Sequence, residues 1–151
     1  MWNRNKMHPS LGYDEMIFRD QFDYDEKNDR LGLGLSDEAF FYQLQDKLEK
    51  IETEHTNYMG TLIQLSNHSP YAATEYHPEK YNDFGELDLT NTYTIINDDG
   101  EEEEITDKYL KDTKLGNYLI SAHYGDMALG TFIDYVENSP YYENTVFVLY
   151  G

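Results

Sequence analysis

Apolar positions fall into stretches whose spacing selects the element each one forms. Phe40, Phe41, Leu44, Leu48 and Ile51 recur every three to four residues, with Lys47, Glu49, Lys50 and Glu52 largely opposite them. That is the period of an amphipathic helix, and it predicts one over 37–51 that ends near Glu54. Ser36 is the expected N-cap, and Asp37 and Glu38 suit the positive end of the helix dipole. A second helical period opens at Thr113 and covers 114–137, with Leu115, Leu119, Ala122, Leu129, Phe132, Ile133 and Val136 on or near one face. Gly116, Gly125 and Gly130 each cost roughly 1 kcal/mol relative to alanine, so packing must sustain this helix. Close approach to a sheet accounts for them, and Asn138-Ser139-Pro140 stops the helix. Two apolar runs lack a helical period. The 57–65 stretch, apolar from Met59, ends abruptly in Ser66-Asn67-His68-Ser69-Pro70, and 145–150 reads TVFVLY. Both are too short for helices and predict buried strands, the second of the parallel type.

The connections add less. Leu31, Leu33 and Leu35, with glycines between them, lead into the first helix. Residues 20–30 are charged, irregular surface chain pinned by Phe18, Phe22 and Tyr24. Residues 71–89 have no period and predict a long surface loop. Residues 92–96 and 101–105, joined by turn chemistry at 97–100, predict a β-hairpin. Residues 98–104 hold six acids in seven positions. They lack the alternating spacing of an EF-hand loop, so a solvated charged turn is the reading. Helix then buried strand, twice over, predicts an α/β domain spanning 1–151, with a mostly parallel sheet flanked by helices.

In such sheets ligands gather outside the carboxyl ends of the strands, which makes His68 the first candidate for chemistry, against a plain loop cap. At the other end of the chain, Asn3, Arg4, Asn5 and Lys6 form the only locally basic patch in a molecule of formal charge −19. An Arg4 fork beside the Trp2 face suits a phosphate on a small polar group, against a solvated tail. The charge excludes non-specific nucleic-acid binding and adhesion to an anionic bilayer. Without cysteine there is no disulfide, thiolate nucleophile or cysteine-ligated zinc. No apolar run approaches the roughly 18 residues of a membrane span and no signal peptide is seen, so the chain reads as soluble or as lacking its targeting part. It stops at Gly151 directly after an apolar strand, and therefore reads as an excised piece whose exposed sheet edges invite self-association.

WNRN at residues 2–5, HPSLGYDE at 8–15, SNHSPY at 66–71 and the final VFVLYG together resemble the lipoteichoic acid synthase family, in that family's order and approximate spacing. These are phosphoglycerol transferases of the alkaline-phosphatase and sulfatase superfamily. The resemblance covers nearly the whole chain and is weakest over 72–112, around the acidic insertion. It implies an α/β sandwich of that superfamily, truncated at both ends. It also implies a parent that takes glycerol phosphate from phosphatidylglycerol, through a threonine nucleophile and a divalent metal, and passes it to a growing polymer. Metal and cationic groups neutralise the phosphate in such chemistry while the nucleophile is held in line.

Carried over residue by residue, the resemblance places Trp2, Arg4 and His68 in the glycerol-phosphate pocket. Arginine grips phosphate oxygens, histidine hydrogen-bonds them and tryptophan walls the pocket. It assigns no catalytic residue and no metal ligand within 1–151, because the threonine, its glutamate and the Asp-His pair of the family fall outside these motifs. Manganese or magnesium is expected only in the parent, as are phosphatidylglycerol, the glycerol-phosphate polymer and a membrane anchor at the extracytoplasmic face of a bacterial cell. A related sulfatase or phosphoethanolamine transferase is the nearest alternative. A non-catalytic acidic binding module is the alternative of another class.

Overall fold

The computed structural model describes residues 3–32, 34–71, 91–107 and 113–151. In chain order its elements are α1 (Arg4–Ser10), a 3-10 turn (Arg19–Gln21), β1 (Arg30–Leu31), β2 (Gly34–Leu35), α2 (Asp37–Glu54), β3 (Asn91–Ile96), β4 (Glu102–Asp107), α3 (Lys114–Glu137) and a second 3-10 turn (Tyr142–Asn144). The α/β class expected from the sequence is present, and the two long helices fall where the apolar period puts them.

The core is the seam between α2 and α3. Phe41, Leu44 and Leu48 of α2 meet Ala128, Phe132 and Val136 of α3, with Tyr141 closing one end. Phe41 and Phe132 stack with centroids 4.7 Å apart and planes 17° from parallel. Contacts climb both helices together: Glu38 N–H reaches the Tyr124 hydroxyl, Phe41 meets Phe132, and the Tyr135 hydroxyl donates to Glu49. The two helices therefore run in the same direction, as consecutive helices on one face of a parallel sheet do.

The buried stripe of α3 differs in part from the expected one. It is Ser121, Tyr124, Gly125, Ala128, Phe132 and Val136, whereas Leu115 faces solvent and Leu119, Leu129 and Ile133 are half-buried. Small residues let α3 come close to its neighbours, and the larger aliphatic side chains flank that contact. Gly125 shows the effect directly: a Cβ there would lie 3.1 Å from Asn67 Nδ2. Gly130 has open space around its missing Cβ, so close packing is not its reason.

Residues 57–65 and 145–150 form no helix and join no ladder among the described residues. The ladders present are both antiparallel: β1 with β2, and β3 with β4. Apolar side chains of both runs stand in solvent, Val146 at 88% and Tyr150 at 86% exposure being the extreme cases. The 57–65 run nevertheless returns along α2. Tyr58 lies near Glu52 at the helix's C-terminal end, and Leu65 meets Asp37 at its N-terminal end.

The β3–β4 hairpin pairs Ile96 with Glu102 through Asn91 with Asp107. Its turn is closed by Asn97, whose side-chain oxygen accepts the Asp99 and Glu101 N–H groups, while Gly100 takes φ +81°. The acidic run is thus one strand and the turn of an exposed hairpin. Residues 72–90, including nearly all of the expected long loop, lie outside the described residues.

The N-terminal stretch forms a helix, α1, that the sequence did not predict. Its motif reads as polar tail with a proline near the end. Pro9 sits in the last turn, where it cannot supply the N–H that would bond Asn5 C=O.

Candidate functional site

The N-terminal end of α2 is a junction of three chain segments. An α-helix leaves its first N–H groups without intrahelical partners. Here Asp37 N–H donates to Ser66 Oγ (3.3 Å), Glu38 N–H to the Tyr124 hydroxyl (3.2 Å) and Ala39 N–H to the N-cap oxygen of Ser36 (3.3 Å). Phe40 N–H then begins the regular ladder by bonding Ser36 C=O. A free helix N-terminus is a ready anion site, but these three donors are already engaged. The N-terminus of α2 therefore offers an anion none of these three donors.

The Asp37 carboxylate answers those bonds in reverse. Asp37 is only 1% exposed, and its Oδ1 accepts the N–H groups of Leu65 (3.0 Å) and Ser66 (3.2 Å). Its Oδ2 accepts Gln64 Nε2 at 3.3 Å, and the same Nε2 reaches the Gly125 carbonyl at 3.5 Å. Burial pushes the Asp37 carboxyl above the usual carboxylate range, opposed by its bonds to Leu65, Ser66 and Gln64. Burial also pushes the Tyr124 hydroxyl up to about 12, so it stays neutral and available as an acceptor.

The sign of the Asp37 effect is testable. A carboxyl raised on folding contributes stability that is complete below its unfolded value, 3.8, and is lost as pH rises through the folded value. The stability of the wild type relative to Asp37→Asn is therefore expected to fall as pH rises above about 3.8. Urea midpoints for both proteins between pH 3 and pH 7, roughly bracketing carboxyl titration, measure this difference.

His68 follows directly. Its N–H bonds Leu65 C=O (2.9 Å), its own C=O accepts Tyr71 N–H (3.1 Å), and its ring Nδ1 lies against the Ser69 carbonyl. The ring is exposed, at the end of the returning 57–65 segment and beside the N-terminal end of α2.

Arg4 is the first residue of α1 and is half-buried. The α1 segment is tied to the returning segment: the His8 ring meets Tyr13 edge-on at 5.0 Å, and the Tyr13 hydroxyl bonds Thr61 Oγ1 at 3.0 Å. Arg4 and His68 therefore lie on two segments joined by the Tyr13–Thr61 bond, although they make no direct bond to each other. Trp2 lies outside the described residues. Sequence reasoning missed Asp37 as a junction, since its only visible signal was an acid in the first turn.

Among the described residues, no three His, Asp or Glu side chains gather in a way that could hold a metal ion. Nor, among them, is any helix long and apolar enough to cross a membrane. A groove lined by Glu15, Ile17, Lys47, Lys50, Ile51 and Glu54 contains none of the sequence candidates.

Comparison with known proteins supplies the wider context. The family model described as Sulfatase matches residues 1–151. Lipoteichoic acid synthase 2 of Bacillus subtilis is 27% identical over 150 residues, covering 99% of this chain and 19% of that protein. The lipoteichoic acid synthase of Staphylococcus saprophyticus is 27% identical over 151 residues, with the same coverages. The crystal structure of the lipoteichoic acid synthase LtaP from Listeria monocytogenes superposes with a TM-score of 0.63 at 28% identity, covering 90% of this chain and 27% of that one. The chain thus spans about a fifth of the length of the curated relatives it matches.

Proposed function

The chain belongs to the sulfatase family, and from that premise we propose that it is part of a phosphoglycerol transferase that moves glycerol phosphate from phosphatidylglycerol to a growing lipoteichoic-acid-type polymer. Arg4 and His68, with Trp2 as wall, hold the glycerol phosphate group. A guanidinium fork matches phosphate oxygens in pairs, and an imidazole N–H adds a third, orienting bond. A divalent metal, manganese or magnesium, belongs to the complete catalytic domain and would neutralise phosphate charge there. No residue of 1–151 matches the family's nucleophile or metal ligands, so these residues bind and orient without turning over substrate. With a formal charge of −19, the domain needs an anchor outside this chain to work at the outer face of a bacterial membrane.

The observation that carries this reading is the Tyr13–Thr61 bond, which joins the basic α1 segment to the segment presenting His68. The likeness to lipoteichoic acid synthases across 99% of the chain supports the substrate class.

A competition experiment tests it. The 151-residue chain is expected to bind sn-glycerol 1-phosphate about tenfold more tightly than sulfate or phosphoethanolamine, and to release no product from a fluorescent phosphatidylglycerol. Preference for sulfate would favour an ordinary sulfatase, and preference for phosphoethanolamine the related transferase. Turnover above a denatured control would mean that the chemistry lies within these residues.

A further inference from the structure

We propose that Asp37 is the positioning residue for the His68 turn, acting through the backbone to hold that imidazole at the glycerol phosphate. The inference rests on the functional reading above, and it adds a residue to which neither resemblance nor periodicity assigns a role in the site.

The path from Asp37 to His68 is short. Asp37 Oδ1 holds the N–H of Leu65, and the C=O of that same residue accepts the His68 N–H that closes the turn. Asp37 Oδ1 also holds Ser66 N–H, while Ser66 Oγ accepts the Asp37 N–H in return. Ser66 is therefore gripped in both directions, and Leu65 in one, by a single residue of α2. On the other side α3 closes in. Gln64 Nε2 spans Asp37 Oδ2 and the Gly125 carbonyl, and Asn67 lies where a side chain on Gly125 would be. His68 is the first residue beyond this clamp whose ring is left exposed.

The helix itself does not require a buried carboxylate at this place. Ser36 and Tyr124 already serve two of its first N–H groups, and an exposed acid in the first turn would complement the dipole equally well. Burying a charged group is costly unless it is hydrogen-bonded. What the buried side chain secures is one oxygen that accepts two backbone N–H groups of another segment. The place where that grip is applied is the base of the His68 turn.

The test uses the 151-residue chain as wild type, Asp37→Ala and Asp37→Asn, followed by NMR. Amide hydrogen exchange reports the clamp. In Asp37→Ala the His68 amide is expected to exchange about tenfold faster, while the Phe132 and Val136 amides keep their protection. In Asp37→Asn, whose side-chain oxygen can still accept both N–H groups, most of the His68 protection returns. The imidazole shift of His68 during titration with sn-glycerol 1-phosphate reports the consequence. Affinity is expected to fall about tenfold in Asp37→Ala and by no more than about threefold in Asp37→Asn.

Unchanged His68 exchange in Asp37→Ala overturns the proposal. So does an equal loss of protection at His68, Phe132 and Val136, because Asp37 would then serve the whole fold. Wild-type protein that ignores glycerol phosphate sinks the substrate reading instead, and the exchange pattern still decides the clamp.

Discussion

Replacing Phe132 by alanine is expected to destabilise the chain by about 3–5 kcal/mol, the range for removing a buried phenylalanine ring. Phe132 is 2% exposed and stacks on Phe41 at the centre of the α2–α3 seam. Its loss removes apolar burial and leaves a cavity between two helices already fixed above and below. At the upper end, the Tyr124 hydroxyl holds the Glu38 N–H; at the lower end, Tyr135 holds Glu49. With both ends pinned, the seam has little freedom to collapse into the space. A domain of this size has a total stability of about 5–15 kcal/mol, so the variant loses a large share of it. Tyr42→Ala on the solvent-facing side of α2 is the control, since that ring is 74% exposed and its removal should cost no more than about 0.5 kcal/mol. Urea denaturation followed by circular dichroism measures both.

The second large effect is on ligand binding. Arg4→Ala and His68→Ala are each expected to weaken glycerol phosphate binding by about 10- to 150-fold, the equivalent of one charge-assisted hydrogen-bonding group worth 1.5–3 kcal/mol. Thermal stability should scarcely change for His68→Ala, because the ring is exposed and its side-chain hydrogen bond among the described residues is to the adjacent Ser69 carbonyl. Arg4→Lys separates charge from geometry. Lysine keeps the positive charge in a strongly acidic molecule but loses the paired donors of the fork, so it should recover only part of the affinity. Full recovery would show that the site reads charge alone.

The parts of the fold legible in the sequence are those whose signal is local. The α2 and α3 helices declare themselves by period and by caps: Ser36 accepts the Ala39 N–H and Thr113 the Gly116 N–H. The β3–β4 hairpin declares itself by turn chemistry at Asn97 and Gly100. The stripe of α3 was less legible, because its tightest contacts use Ser121, Gly125 and Ala128, which hydrophobic patterning weights lightly. The α1 helix was not legible, since a seven-residue polar stretch with a proline carries no apolar period and no side-chain cap. Expected buried strands at 57–65 and 145–150 stand outside any described ladder with much of their apolar surface exposed, because a short apolar run signals neither a strand's pairing partner nor what covers it.

The site divides in the same way. Of the residues proposed to hold the ligand, His68 was nominated by the polar cluster that ends an apolar run and Arg4 by its basic neighbours in an acidic chain. Asp37 was not, because nothing local marks a carboxylate that buries itself against backbone 28 residues further on. Its role depends on how α2 meets the returning segment, and that is a property of packing.

The central claim is that Arg4 and His68 hold one phosphate between them. The most direct measurement is an NMR titration of the 151-residue chain with sn-glycerol 1-phosphate, following the Arg4 guanidinium Nε–H and the His68 imidazole in the same samples. A shared phosphate predicts that both signals move and saturate at the same ligand concentration, and that Arg4→Ala shifts the His68 midpoint upward by about tenfold or more. An Arg4 signal that stays still while His68 saturates, or a His68 midpoint indifferent to Arg4→Ala, would contradict the account.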